Sequence, residues 1–176
     1  QHKNSALSFS REDYCETLRK ALRMEELLTG HSAIMDRYDP EKRVGLVVDE
    51  WGTWYEVEEG TNPGFLYQQN TMRDAMVAAL TLNIFNNRCD VVAMANAAQL
   101  CNNLHSLYLA GGEHFVETPN YFVYDLFKTH QGARQLEVVN DCGAFGGGEA
   151  FRKNARPLDR VSASASEAAG GSGLRT

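Results

Sequence analysis

The run Val44-Gly45-Leu46-Val47-Val48 constrains this chain more than any other stretch of it. It is continuously apolar, without alternation, and an acidic pair follows it directly. A strand of that kind is read as buried on both faces, which points to a parallel sheet covered by helices. Helical patterns stand on either side. Ser10 with Asp13 forms a capping box that opens a long helix, with Tyr14, Leu18, Ala21, Leu22 and Leu28 on its inward face. That helix is expected to end near Asp36, before the Asp39-Pro40 turn. Thr71 with Asp74 repeats the capping box and starts a second helix, with Met76, Ala79, Leu80 and Asn83 on one stripe. Residues 90–95 read as a second buried strand, and Pro119 suits the first position of a third helix reaching about His130.

Helix, strand, loop, helix, strand, helix is the rhythm of an α/β barrel or a doubly wound sheet. A complete barrel takes about 250 residues, and only two strands of this type are present, so an incomplete barrel is expected. Beyond residue 133 the character changes. Residues 136–139 and 158–166 read as strands, the latter alternating through Leu158, Val161, Ala163 and Ala165. Gly143 and residues 146–148 are glycine-rich but lack the G-K-[ST] ending of a phosphate loop, and Gly170-Gly171-Ser172-Gly173 reads as a hairpin turn.

A formal charge of −6 argues against broad phosphate binding, so no nucleic-acid partner is expected. No apolar run approaches the roughly 20 residues of a membrane span, so no membrane partner is expected either. Cys15, Cys89, Cys101 and Cys142 form no C-x-x-C pair, and the chain has no N-x-S/T acceptor. Both absences fit a reducing compartment, so the expected location is cytoplasmic, without a metal site. The expected ligand is a neutral small molecule or polymer.

Chemistry concentrates in Asp49-Glu50-Trp51-Gly52-Thr53-Trp54-Tyr55, at the C-terminal end of the first strand. That is the end at which barrel enzymes carry catalytic residues. A carboxylate there can do mechanistic work, and the indole and phenol rings offer apolar faces to a sugar. The other reading is a strand-ending acid that caps the next element, with the aromatics in the core; the pattern alone leaves both open. Asp49 and Glu50 are not both expected in one glycosidase pair, because neighbouring strand residues face opposite ways while a retaining pair stands about 5–5.5 Å apart. Asp49 is therefore read as structural. Asp90 begins the second strand and so lies at the opposite end of the sheet, while Glu56, Glu58 and Glu59 read as a solvated rim of the long loop over residues 50–69. Gln99, just after the second strand, can serve a sugar oxygen or merely satisfy its own loop. His31, His105, His114 and His130 show no metal or triad spacing and are read as surface or satisfied core residues.

The segment VGLVVDEWGTWY (residues 44–55) resembles the nucleophile strand of the family 51 glycoside hydrolases, the α-L-arabinofuranosidases. GTNPGFLYQQNTMRDA (60–75), MANAAQLCNNL (94–104) and TPNYFVYDLFKTHQ (118–131) resemble that family in the same order, and LDRVSASAS (158–166) is similar to a strand of its C-terminal β-sandwich. The resemblance implies α/β architecture, with the last part of a (β/α)8 barrel over residues 1–132 and the beginning of an all-β sandwich over 133–176. It implies Glu50 as nucleophile, Gln99 as a contact to the arabinofuranose and Trp54 as an aromatic wall. It further implies a retaining enzyme acting on arabinan- or arabinoxylan-type saccharides, without cofactor, as a homo-oligomer. The family's general acid lies in an Asn-Glu pair on an earlier strand, which this sequence lacks, so this stretch is expected to belong to a longer chain and to be inactive alone. An endoglucanase or xylosidase on the same scaffold, or a non-catalytic carbohydrate-binding piece, are the alternatives.

Overall fold

The structure, a computed structural model, describes residues 3–139 and 164–167. Helix α1 spans Arg11–Tyr38 and begins where expected: Ser10 Oγ accepts from the Asp13 backbone N–H, and the Asp13 carboxylate accepts from the Ser10 N–H. Those two bonds satisfy donors that a helix start otherwise leaves orphaned. Helix α2 spans Met72–Asn87 and is opened in the same way by Thr71 and Asp74. Between the helices lies β1 (Leu46–Trp51), and after α2 comes β2 (Val92–Ala97), parallel to β1. A β3–β4 hairpin (Tyr108–Gly111, His114–Glu117) leads to α3 (Pro119–Phe127), which continues as a single 3₁₀ turn, Lys128–His130. Strand β5 (Arg134–Leu136) pairs antiparallel with β6 (Ala165–Glu167).

All three helices contribute to the core on one face of the β1–β2 pair. Leu28 from α1, Ala78, Ile84 and Phe85 from α2, and Val123 and Tyr124 from α3 pack with Leu46, Val48 and Trp51 of β1 and with Val92, Ala95 and Ala97 of β2. Arg88, at the end of α2, ties the helices together by donating to Glu25 and Thr29 of α1 and to the buried Ser32 hydroxyl. At the opposite end of the sheet from Glu50, Lys42 pairs with Asp90 at 2.6 Å, so Asp90 stands where the sequence placed it.

Three expectations need correction. The strands are not buried on both faces: Val47 is 49% exposed and Met94 55%, because the described helices cover a single side. On α2 the buried face is Val77, Ala78, Thr81, Ile84 and Phe85, and Met76 is turned out. A helix this rich in Ala, Leu and Met offers several apolar stripes of equal merit, and the packing between α1, α3 and the strands selects one. Finally, β5 ends at Leu136 and residues 137–139 are not strand. The glycine-rich run, Cys142, most of the 158–166 segment and the 170–173 turn lie outside the described residues.

Candidate active site

The pairing of β1 with β2 slips at the strand's end. From Val48 to Trp51 is three steps, but the partners Ala95 and Ala97 are two apart, so one extra residue is accommodated at Asp49–Glu50. Such bulges re-aim side chains and concentrate next to functional sites. Strict alternation therefore does not run unbroken through the two acids; both are exposed, and Glu50 rather than Asp49 lines the adjoining cavity.

Beyond the bulge a new alternation begins. Trp51, Thr53 and Tyr55 are buried, whereas Glu50, Gly52 and Trp54 are exposed. Each buried residue is held differently. The Trp51 ring packs edge-on against Phe85 at 5.4 Å between centroids and stacks on Tyr124 at 6.1 Å. Thr53 is held by hydrogen bonds: its hydroxyl lies 2.5 Å from Asp74 Oδ1 and 3.0 Å from His105 Nδ1. Tyr55 lies against the guanidinium of Arg73, 3.9 Å from the ring centroid, and its backbone N–H donates to Gln68 Oε1 at 2.8 Å. Gln68 Nε2 in turn donates to the Thr53 carbonyl at 3.3 Å, so one fully buried amide closes the long loop onto its own start. Anchoring one side of an extended segment presents the other side, and the presented side carries Glu50 and Trp54.

Glu50 and Trp54 line one cavity of about 480 Å³, bounded by residues 50–55 and by α1 through Thr17, Lys20, Ala21, Arg23, Met24 and Leu27. Trp54 is 52% exposed, and the Lys3 ammonium sits 3.6 Å from the centre of its ring. Gln99 does not line this cavity. It is exposed two residues beyond β2, at the same end of the sheet as Glu50, because Ala98 N–H donates to the Trp51 carbonyl. Glu56 and Glu59 are exposed, and Glu58 accepts from the Gln69 backbone N–H at 3.2 Å, so these acids border the loop. Among the described residues no group of three or more His, Cys, Asp or Glu side chains is placed to hold a metal ion.

A buried polar seam beneath the segment was not anticipated. Asp74, expected only as a capping residue, also receives the Thr53 hydroxyl, and its burial raises its pKa. His105 is the core histidine of the group, fully buried, with burial lowering its pKa to about 4. His31 and His114 are exposed, and His130 meets Ser166 Oγ at 2.7 Å. Arg73 is also fully buried, stacked between Phe9 and Tyr55, and donates to the Ser5 and Ala6 carbonyls. The T-x-x-D box was visible in the sequence, but nothing local announced partners so far along the chain.

Residues 49–168 match the sequence profile of the α-L-arabinofuranosidase C-terminal domain. The chain belongs to the α-L-arabinofuranosidase family. Among its relatives in that family, an intracellular exo-α-L-arabinofuranosidase of Bacteroides ovatus is 44% identical over 165 residues, which are 94% of this chain and 31% of the relative. The crystal structure of a family 51 glycoside hydrolase, the arabinofuranosidase of Xanthomonas axonopodis pv. citri, superposes with a TM-score of 0.88 at 44% identity, over 95% of this chain and 33% of that one. The α-L-arabinofuranosidase of Thermotoga maritima, solved with arabinose, shares the fold at a TM-score of 0.64 and 23% identity, over 77% of this chain and 28% of its own. The chain thus spans about a third of the length of these relatives.

Proposed function

We propose that the protein containing this chain is a retaining glycosidase that releases terminal non-reducing α-L-arabinofuranosyl residues from arabinan- or arabinoxylan-type saccharides, with Glu50 as its nucleophile. The observation that carries this reading is the presentation of Glu50 and Trp54 on the free side of a segment whose other side is pinned at Trp51, Thr53 and Tyr55. In the reaction the Glu50 carboxylate attacks the anomeric carbon while an acid outside this chain protonates the departing oxygen. The resulting glycosyl ester is cleaved by water activated by the same acid, now a base, and two inversions give net retention. Trp54 forms a wall for the C–H face of the sugar, and Gln99 offers an amide to a sugar hydroxyl without adding charge beside the nucleophile.

The architecture suited to this reading is a (β/α)8 barrel whose last part is residues 1–132, followed by a β-sandwich begun by 133–176. It is supported by the parallel β1–β2 pair, with helices on one face and Val47 and Met94 open on the other, as on a barrel's inner wall. The Bacteroides relative is named as intracellular, and no described helix is long and apolar enough to cross a membrane; a cytoplasmic homo-oligomer is the setting we propose. Turnover of aryl α-L-arabinofuranosides by the complete protein, with the configuration of the first-formed sugar followed by NMR, tests the reading. Release of arabinose with retained configuration is expected. Preferred release of xylose or glucose, or an inverted product, would overturn it.

A further inference from the structure

With Asp74 ionised, the hydrogens of the seam under the nucleophile's segment have one arrangement. Asp74 Oδ2 faces the Thr71 backbone N–H at 2.8 Å and the Thr71 hydroxyl at 3.2 Å, while Oδ1 faces the Thr53 hydroxyl at 2.5 Å. The backbone N–H is a donor and both hydroxyls can donate, which suits an ionised carboxylate at a helix N-terminus. The single Thr53 hydroxyl proton is then committed to Asp74. Thr53 Oγ1 must accept at its remaining contacts, from His105 Nδ1 at 3.0 Å and from Gln68 Nε2 at 3.5 Å. That requirement places the His105 proton on Nδ1 and leaves Nε2, fully buried, as a bare acceptor without a protein partner.

His105 meets each of the three residues that follow Glu50. Its ring stands 5.6 Å from that of Trp51, its Cβ would come within 2.7 Å of a Cβ added to Gly52, and its Nδ1 serves Thr53. The residue adopts φ +49°, a conformation a non-glycine residue keeps only when its surroundings impose it. The imposing contacts are those of the turn that contains it, in which Asn103 N–H donates to Ser106 Oγ at 2.7 Å and Leu104 N–H to Asn103 Oδ1 at 2.7 Å.

We propose that Thr53, clamped between Asp74 and His105, is the positioning residue that holds Glu50, before it in the chain, and Trp54, after it, on the presented side of the segment. Asp74 belongs to α2 and His105 to the turn before β3, so the clamp refers the segment to two separate elements of the fold. The proposal rests on Glu50 being the nucleophile, and Glu50→Gln is measured alongside to keep the two separable.

The test is steady-state hydrolysis of an aryl α-L-arabinofuranoside by the complete protein carrying Thr53→Val, Thr53→Ser or Ser32→Ala, with denaturant unfolding of each. Ser32→Ala removes another buried hydroxyl, which donates to the Leu28 carbonyl and accepts from Arg88 and has no hydrogen bond to the segment. Thr53→Val is expected to lower kcat roughly 10- to 100-fold with KM changed by less than about threefold, the signature of a displaced reacting group. Thr53→Ser restores the hydroxyl and is expected to return kcat to within about threefold of the parent, while Ser32→Ala loses stability and keeps kcat. Parental kcat in Thr53→Val beside an inactive Glu50→Gln would overturn the proposal and leave the site assignment standing. An equal fall of kcat in Ser32→Ala would also overturn it, as a plain stability effect. Near-parental turnover in Glu50→Gln would remove the assignment and the proposal with it. Should Thr53→Val not fold, His105→Leu and His105→Asn carry the same test. Leu removes the Nδ1 donor and is expected to lower kcat, Asn supplies an N–H near the same place and is expected to restore it, and parental kcat in both variants would overturn the proposal.

Discussion

Gly52 and His105 are in backbone-to-side-chain contact so close that a methyl group on Gly52 would stand 2.7 Å from the His105 Cβ. Gly52 also holds φ +144°, where an L side chain is strained whatever the space. Two costs therefore combine in Gly52→Ala, overpacking and an unfavourable backbone, each worth about 1–3 kcal/mol. The expected outcome is a fall of the unfolding free energy by at least about 1 kcal/mol, read from denaturant titration. An unchanged midpoint would show that the segment does not rest on His105.

The burial of His105 gives stability a pH dependence of definite sign. Its pKa is lowered on folding from 6.5 to about 4, so the unfolded chain binds the extra proton more readily. The contribution is fully present above pH 6.5 and is lost as pH falls toward 4; 2.5 units correspond to on the order of 3 kcal/mol. Asp74, with its pKa raised by burial, acts in the opposite sense, since its protonated form is the one the fold favours as pH falls. Comparing the parent with His105→Asn isolates the histidine, because Asp74 is common to both. The parent is expected to lose more stability than His105→Asn between pH 6.5 and 4, and parallel curves would contradict a buried neutral imidazole.

Arg73→Lys is not a conservative change at a stacked site. The guanidinium lies between Phe9, 3.8 Å from its ring centroid, and Tyr55, and donates to the Ser5 carbonyl at 2.9 Å. An ammonium keeps the charge but loses the planar stack and part of the bonding, for an expected cost of about 1–3 kcal/mol. The stretch of residues 3–9, held by these contacts, should become the first site of limited proteolysis. Proteolysis and stability equal to the parent's would contradict the role given to Arg73.

What the sequence disclosed and what it withheld divide by range. Both capping boxes, the start of every helix and the end of the sheet that bears Glu50 follow from neighbours within four positions, where side-chain identity and backbone geometry are directly coupled. The apolar run 44–48 announced a strand, which begins two residues later, at Leu46, and runs through both acids to Trp51, but apolarity alone does not say whether the second face is covered within the same stretch. Val47 and Met94 show that here it is not. The bulge at Asp49–Glu50 depends on how β1 registers with β2, and the seam joins Thr53 to partners 21 and 52 residues away. No local pattern encodes such a choice of partner. His105 was indistinguishable in sequence from any core histidine, and only its placement against Trp51, Gly52 and Thr53 sets it apart.

Gln99 and Trp54 occupy different positions relative to the cavity, and the kinetics of their variants should differ accordingly. Gln99→Ala in the complete protein removes at most one neutral hydrogen bond to the sugar, worth about 0.5–1.5 kcal/mol, or roughly 2- to 12-fold in kcat/KM. Trp54 lines the cavity with Glu50, so Trp54→Ala is expected to raise KM and shift preference among arabinan- and arabinoxylan-derived substrates. Parental kinetics for both variants on several substrates would place neither residue at the sugar.

The central claim is that Glu50 forms the bond to the sugar, and covalent trapping addresses it most directly. The complete protein is incubated with a slow 2-fluorinated arabinofuranoside, digested, and its peptides are read by mass spectrometry. The account predicts one label, on Glu50, absent in Glu50→Gln and retained in Asp49→Asn, whose carboxylate shares the bulge but not the role. A label on Asp49 or any other residue, or near-parental turnover by Glu50→Gln, would contradict it.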